Sequence, residues 1–292
     1  VNVTDKGLQI KAEEEGQRRQ ALVKRRPDNS RRPKVLRREL PSGGTQIQTT
    51  LFEELLRHVS CSALIKETKT EQDMRVNQVH FYPERGCIIA NARTYASAAF
   101  LPGLELDLSI VSADLPLIRS FCAKCTANNV LVGQSLVHLF LADAATGSYV
   151  LLSRVASAKP PLSLVSEDDY AVEIQVNRDK LVGALSWART AIEGTSRLSF
   201  LAIRASEDGL GVLNLMAGNQ DLAVIPATFK KGRELRSDFH VAIIATVAPS
   251  VTGTDVIMRY AHPAIPTLLE LTAMEAGQVT ARHFVQSMRT RS

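Results

Sequence analysis

Long hydrophobic runs are missing from this sequence. No stretch approaches the ~18–20 consecutive apolar residues that span a bilayer, and the first residues are polar rather than signal-like, so no membrane partner is expected. Cysteine is scarce: Cys61, Cys87, Cys122 and Cys125 lack the density of a disulfide framework, which points to a reducing, intracellular compartment, cytoplasmic or nuclear. The six histidines form no His-x-x-x-His or Glu-flanked pair. Cys122 and Cys125 stand at ligand spacing, but both fall on the apolar side of a helical pattern and no second pair accompanies them, so core burial is expected and no metal. Gly209-Leu210-Gly211 is followed by no helix carrying Lys-Ser/Thr and reads as a turn, not a phosphate loop. Nothing argues for an enzyme or a cofactor.

What is present is a hydrophobic content of 45% over 292 residues, enough for about two domains with real cores. The charge is unevenly divided. Residues 1–40 hold 12 Lys and Arg against 6 Asp and Glu, out of totals of 35 and 30. All of the excess positive charge therefore lies in an N-terminal arm. Lys24-Arg25-Arg26, Arg31-Arg32-Pro33-Lys34 and Arg37-Arg38 crowd around two prolines with few apolar residues, so residues 1–44 read as extended or disordered. Such an arm is a solvated tail, a nucleic-acid contact or an import-like signal. Lys24, Arg25, Arg26, Arg31 and Arg32 are its candidate phosphate contacts.

The body is organised around residues 172–192. Val172, Ile174 and Val176 alternate as a half-buried strand, Asn177 is a good N-cap, and Leu181, Leu185, Ala188 and Ile192 recur at helical spacing. A similar unit opens at Ile47, before the apolar face of Leu51, Phe52, Leu55 and Val59. Strands are expected over 76–81, 87–91 and 95–100, and over 104–111, where Leu106, Leu108 and Ile110 alternate with polar residues. A helix starting at Asp114 with Pro116 in its first turn is expected to reach 127, followed by strands 130–132, 136–141 and 149–155. Residues 157–169, with Lys159-Pro160-Pro161, break every period and form the expected linker. Beyond it come strands 198–204, 211–216 and 222–228, a basic loop at 230–233, a helix over 238–249, and strands 255–260, 267–271 and 281–288. Two domains result, 45–156 and 170–292, with one order of elements repeated, which suggests an internal duplication.

Val256-Ile257-Met258-Arg259-Tyr260, the proline-bearing turn at 262–266, Thr267-Leu268-Leu269-Glu270-Leu271 and Phe284-Val285-Gln286-Ser287-Met288-Arg289 resemble the last strands of DNA sliding clamps, including the bacterial Val-Met-Pro-Met-Arg ending. The strand and helix of 106–121 resemble the second half of a clamp domain. The resemblance covers residues 45–290 and rests on order and length more than on any signature. It implies an α+β fold of two repeated clamp domains, each with antiparallel sheets outside and two helices inside, preceded by the basic arm. It also implies a processivity factor that encircles double-stranded DNA and tethers a DNA polymerase and clamp loader through peptide motifs. Family rings contain six domains, so two per chain imply a homotrimer, against the three-domain bacterial dimer.

The same resemblance places four helices on the inner surface. Their candidate DNA contacts are Arg57 on the first, Arg119 and Lys124 on the second, and Arg178, Lys180 and Arg189 on the third; each of these also fits a solvated helix face. With the acids of the same segments the net charge is zero, unlike the strongly basic helices of the family. The alternative is therefore a non-encircling scaffold or nucleic-acid-binding protein acting through its arm. For the partner groove the resemblance implies Thr94, Tyr95, Pro160, Pro161, Leu162, Phe284, Val285 and Met288. Gln286-Ser287 replaces the bacterial Met-Pro, so partner sequence does not carry over.

Overall fold

The computed structural model describes residues 44–63, 77–92, 94–155, 170–192, 197–262 and 265–288, and the backbone of 2–4, 7–14 and 17–24. Residues 1–42 and 43–292 are two separately compact units. The first is an antiparallel meander of β1 (Asn2–Thr4), β2 (Gly7–Glu14) and β3 (Gln17–Lys24). Its register sets Leu8 opposite Val23 and Ile10 opposite Ala21. This part of the arm is thus a sheet, because apolar residues recur at alternate positions and stand opposite one another in its register. Arg25, Arg26, Arg31 and Arg32 lie outside the described residues, and Lys24 is the last residue of β3.

The second unit begins with β4 (Thr45–Gln48), α1 (Thr49–Ser60), β5 (Gln78–Tyr82), β6 (Cys87–Ala92), β7 (Tyr95–Phe100), β8 (Ser109–Val111), α2 (Leu115–Cys122), β9 (Asn129–Gln134), β10 (His138–Ala142) and β11 (Tyr149–Ser153). It continues with β12 (Val172–Asn177), α3 (Arg178–Ala191), β13 (Arg197–Arg204), β14 (Leu210–Ala217), β15 (Gln220–Lys231), β16 (Glu234–His240), α4 (Val241–Val247), β17 (Asp255–His262), β18 (Ile265–Glu275) and β19 (Gln278–Gln286). Among the described residues, each half runs strand, helix, four strands, helix, three strands. One sheet has the order β11-β10-β9-β4. The other has twelve strands, β16-β13-β14-β15-β12-β17-β18-β19-β7-β6-β5-β8, and passes from one half to the other where β19 meets β7.

Local sequence explains the best-formed unit. Val172, Ile174 and Val176 of β12 are buried, the Asn177 side-chain oxygen accepts from the Lys180 backbone N–H at 3.1 Å, and Leu181, Leu185 and Ala188 bury one face of α3. α1 buries Phe52, Leu55, Leu56 and Val59, and α2 buries Leu115, Ile118 and Cys122. These faces join the sheets in one continuous core. In the turn after β5, Gly86 holds φ at 54°, where a Cβ would stand 2.7 Å from the Leu101 carbonyl oxygen.

Four expectations are corrected. Residues 104–108 keep the alternation, with Leu104, Leu106 and Leu108 buried, but only Ser109–Val111 pairs as a strand. Side chains tie the backbone before it: the Asp107 N–H donates to Gln134 Oε1 and its carbonyl accepts from Arg154. α2 stops at Cys122 rather than 127, because the Thr126 backbone N–H and hydroxyl donate to the Asp143 carboxylate at 3.0 and 3.2 Å. Those bonds, with others from Ala145 and Thr146, hold the Asp143 carboxyl down to about 2. Residues 238–240 end a strand, Glu234–His240, instead of starting the helix expected over 238–249, because the whole run pairs residue by residue along β13, and α4 begins only at Val241. β15 runs on to Lys231, taking in the first two residues of the basic loop expected at 230–233. The linker, including Pro160, Pro161 and Leu162, lies outside the described residues. Among the described residues no helix is long and apolar enough to cross a membrane.

Candidate functional site

The two halves join where β7 and β19 run antiparallel, from Ala99 opposite Ala281 to Tyr95 opposite Val285. The pairing extends past the strand end, where the Gln286 N–H donates to the Thr94 carbonyl at 2.9 Å. Alternation along β19 divides its side chains. Val285 is wholly buried in the main core, whereas Phe284 falls in a smaller cluster with Tyr82, Ile89, Ala96 and Leu268.

That smaller cluster floors a groove of about 180 Å³, walled by Thr94 and Tyr95 from one half and Ile265, Leu268, Phe284 and Gln286 from the other. Thr94 is exposed, and Tyr95 is half-buried with its hydroxyl pushed up by burial and, less, by nearby Cys61. Three of the sequence candidates, Thr94, Tyr95 and Phe284, thus meet in one place. Val285 does not join them, because its side chain is spent on the core. Met288 lines a neighbouring, wider recess of about 760 Å³ with Met216, Arg236 and Tyr260, its N–H donating to the Asp238 carbonyl at 2.8 Å. The C-terminal segment thus runs between two concavities.

Behind the junction lies a polar cluster that no sequence pattern marks. His283 Nδ1 stands 2.7 Å from Ser97 Oγ, which stands 2.6 Å from Ser62 Oγ. Cys61 Sγ is 3.3 Å from Ser97 Oγ, and the His58 ring centroid lies 5.7 Å from that of His283. Burial lowers both imidazoles, His58 to about 4 with help from Arg57, and His283 to about 3 with help from His58. In α2, burial pushes the Cys122 thiol up to about 12, as it pushes up half-buried Cys125.

The candidate cations on the helices are not equivalent. Arg57 is paired with Glu54 at 3.1 Å. Arg178 is a brace: it binds the Asp179 carboxylate at 2.8 Å and donates to the carbonyls of Val251 and Pro249 at 2.6 and 3.1 Å. Arg119 is half-exposed on a recess of about 390 Å³ between α1 and α2, with Glu53 and Pro116. Lys124 is exposed in the turn after α2, and Lys180 and Arg189 are exposed on α3. α4 carries no charged residue. Trp187, the single tryptophan, was not among the candidates, yet it is 49% exposed on α3.

No family model matches the sequence, and no curated protein does. Solved structures match the fold. The DNA polymerase III beta subunit of Thermotoga maritima superposes with a TM-score of 0.71 at 14% identity, over 99% of this chain and 75% of that one. A Pseudomonas aeruginosa DNA polymerase sliding clamp gives 0.68 at 14% identity, over 99% and 76%. The Caulobacter crescentus beta sliding clamp gives 0.64 at 15% identity, over 87% and 68%. The chain has the DNA sliding-clamp fold, an α+β fold of antiparallel sheets with four α-helices among the described residues.

Proposed function

We propose that the chain is a subunit of a DNA sliding clamp, a ring that holds duplex DNA and tethers a polymerase and clamp loader through the groove at the junction. The β7–β19 pairing carries this reading. In the order of elements β11 occupies the place of β19, and β15 the place of β7. Among the described residues β11 pairs only with β10, and residues 220–226 of β15 pair only with β14, since β12 takes 227–231. These two free edges bear exposed Tyr149, Leu151 and Val224. Joining β11 of one copy to β15 of the next repeats the internal junction between molecules. Such a head-to-tail contact closes into a ring when its rotation permits, and three copies supply six repeats. The few unpaired cations on the helices suit weak phosphate contacts that allow sliding.

A second assembly is favoured by the N-terminal unit. Its three-stranded meander has the pattern that closes each half, β9 to β11 and β17 to β19. In that reading it ends a third repeat, β3 rather than β11 meets β15, and the ring is a dimer. Light scattering and negative-stain microscopy separate the readings. Val224→Lys dissociates both rings, Leu151→Lys only the trimer, and a monomeric wild-type chain at micromolar concentration overturns both. The expected clamp stays on circular plasmid at high salt and is lost on linearisation. Retention on linear DNA supports the non-encircling, arm-driven scaffold instead.

A further inference from the structure

We infer that the outer edge of β16 is a further docking site for a protein partner, one that takes an extended acidic peptide as an added strand. The inference deepens the tethering reading and rests on it only in taking a peptide as the ligand. β16 ends the twelve-stranded sheet, and among the described residues it pairs with β13 alone. Its backbone groups point alternately inward and outward. The Arg233 carbonyl, just before the strand, accepts from the Arg204 N–H of β13 at 3.0 Å, whereas the Asp238 carbonyl faces away and accepts from the Met288 N–H at 2.8 Å. Alternation along an antiparallel strand then turns the N–H and carbonyl groups of Glu234 and Arg236 away from β13 as well. The C-terminal segment already occupies the edge at Asp238. Arg236 and Glu234 offer the next rungs, an opening for an extended segment of about three to five residues.

Charge selects the occupant. The edge borders the recess of about 760 Å³ that reaches to Tyr260, Thr267 and Met288, and the charged side chains lining that recess are Arg236 and Asp238. Asp238 is already neutralised: its carboxylate accepts from the Ser199 hydroxyl at 2.6 Å and lies 3.4 Å from the Arg197 guanidinium. Arg236 is exposed and forms no ion pair or side-chain hydrogen bond among the described residues. It stands opposite Leu201, on the sheet face away from buried Leu235 and Phe239. A residue facing it on an added strand lies on that same face within reach of the guanidinium, so a carboxylate there is favoured and an ammonium disfavoured. The chain's own continuation past Met288 carries Arg289 and Arg291, the wrong sign for this position.

The probe is a fluorescein-labelled octapeptide of valine and threonine with one central glutamate, titrated by anisotropy against the full chain. It is expected to bind about two- to tenfold more tightly than the same peptide with a central lysine, and Arg236→Glu reverses that preference. Because alternate amides of an added strand face its neighbour, methylating one alternating set of backbone nitrogens abolishes binding and methylating the other set leaves it intact. Binding of neither peptide, equal affinity for the two, no reversal in Arg236→Glu, or indifference to both methylated sets overturns the proposal. So does loss of binding in Ile265→Ala, which seats the peptide in the junction groove and leaves the tethering reading standing. A change of mass in Arg236→Glu by light scattering also overturns it, since the edge then belongs to a second copy. Retention on circular plasmid tests the clamp reading by itself, so each can fail without the other.

Discussion

Ser97 Oγ on β7 and His283 Nδ1 on β19 stand 2.7 Å apart, 186 residues apart in sequence, and this bond pins the two halves of the body across their shared sheet. Around it Ser62, Cys61 and His58 arrive from the end of α1, so the junction is held by polar atoms inside an apolar shell. Buried polar contacts of this kind fix a geometry only while each partner keeps its protonation state.

The first prediction concerns that state. Burial holds His58 and His283 at about 4 and about 3, below the ~6.5 of an exposed imidazole, so the unfolded chain binds more protons than the folded one beneath that pH. Their contribution to stability is complete above about pH 6.5 and is lost as the pH falls toward 4 and 3. Between pH 6.5 and 5, before most carboxylates titrate, urea unfolding should show stability dropping by up to about 1.4 kcal/mol per pH unit for each ring. His58→Gln should roughly halve that slope. An unchanged slope would mean that His58 is accessible to protons in the folded protein.

Glu270 of β18 is wholly buried. Its carboxylate accepts from Tyr170 at 2.8 Å and Thr272 at 2.6 Å and lies 3.3 Å from the Arg259 guanidinium, with Arg282 beside it. Removing one partner of such a network strands the others, so Glu270→Ala should cost about 3–5 kcal/mol in denaturant unfolding. Glu173→Ala, which takes a half-exposed partner from Arg259, should cost about 1 kcal/mol or less. Equal losses would show that the buried network is not what anchors β18 to β17.

The groove prediction separates binding from folding. Ile265 and Met288 are both partly exposed, one in each concavity beside the C-terminal segment. Changing both to Ala should weaken a peptide from a replicative polymerase at least about tenfold, as loss of interface anchors does, with little change in melting temperature. Val285→Ala should instead lower stability by about 1 kcal/mol or more through a core cavity. Undiminished peptide binding in the double variant would place the partner site elsewhere.

The arm makes a salt-dependent prediction. Each Lys or Arg on a phosphate contributes about −0.9 to the slope of log affinity against log salt. If Arg25, Arg26, Arg31 and Arg32 all touch duplex DNA, changing the four to Gln should flatten the slope by about three to four units, with no sequence preference before or after. An unaltered slope would make the arm a bystander and move attention to Arg119, Lys124, Lys180 and Arg189.

Much of the fold was legible in the sequence wherever burial has a local period. Asn177 at the change from period two to 3.6, and Leu181, Leu185 and Ala188 beyond it, mark β12 and α3 because a cap and an amphipathic face need only neighbours along the chain. The twofold order of elements and the resemblance to clamps followed from such patterns. Period alone does not say what covers a buried face. Alternation at 104–108 is real, yet beyond one bond from the Phe81 N–H to the Leu108 carbonyl it is Gln134 and Arg154 that tie that backbone, and residues 238–240, read as the start of a helix, end a strand instead. Only the tertiary structure decided that Phe284 faces the groove while Val285 faces the core, that Arg178 is a brace and Lys180 unpaired, and that His58, Ser97 and His283 meet. The facing of Phe284 and Val285 and the meeting of Ser97 with His283 depend on pairing between distant strands, and register is set by the sum of contacts across a sheet, not by any residue's own neighbours.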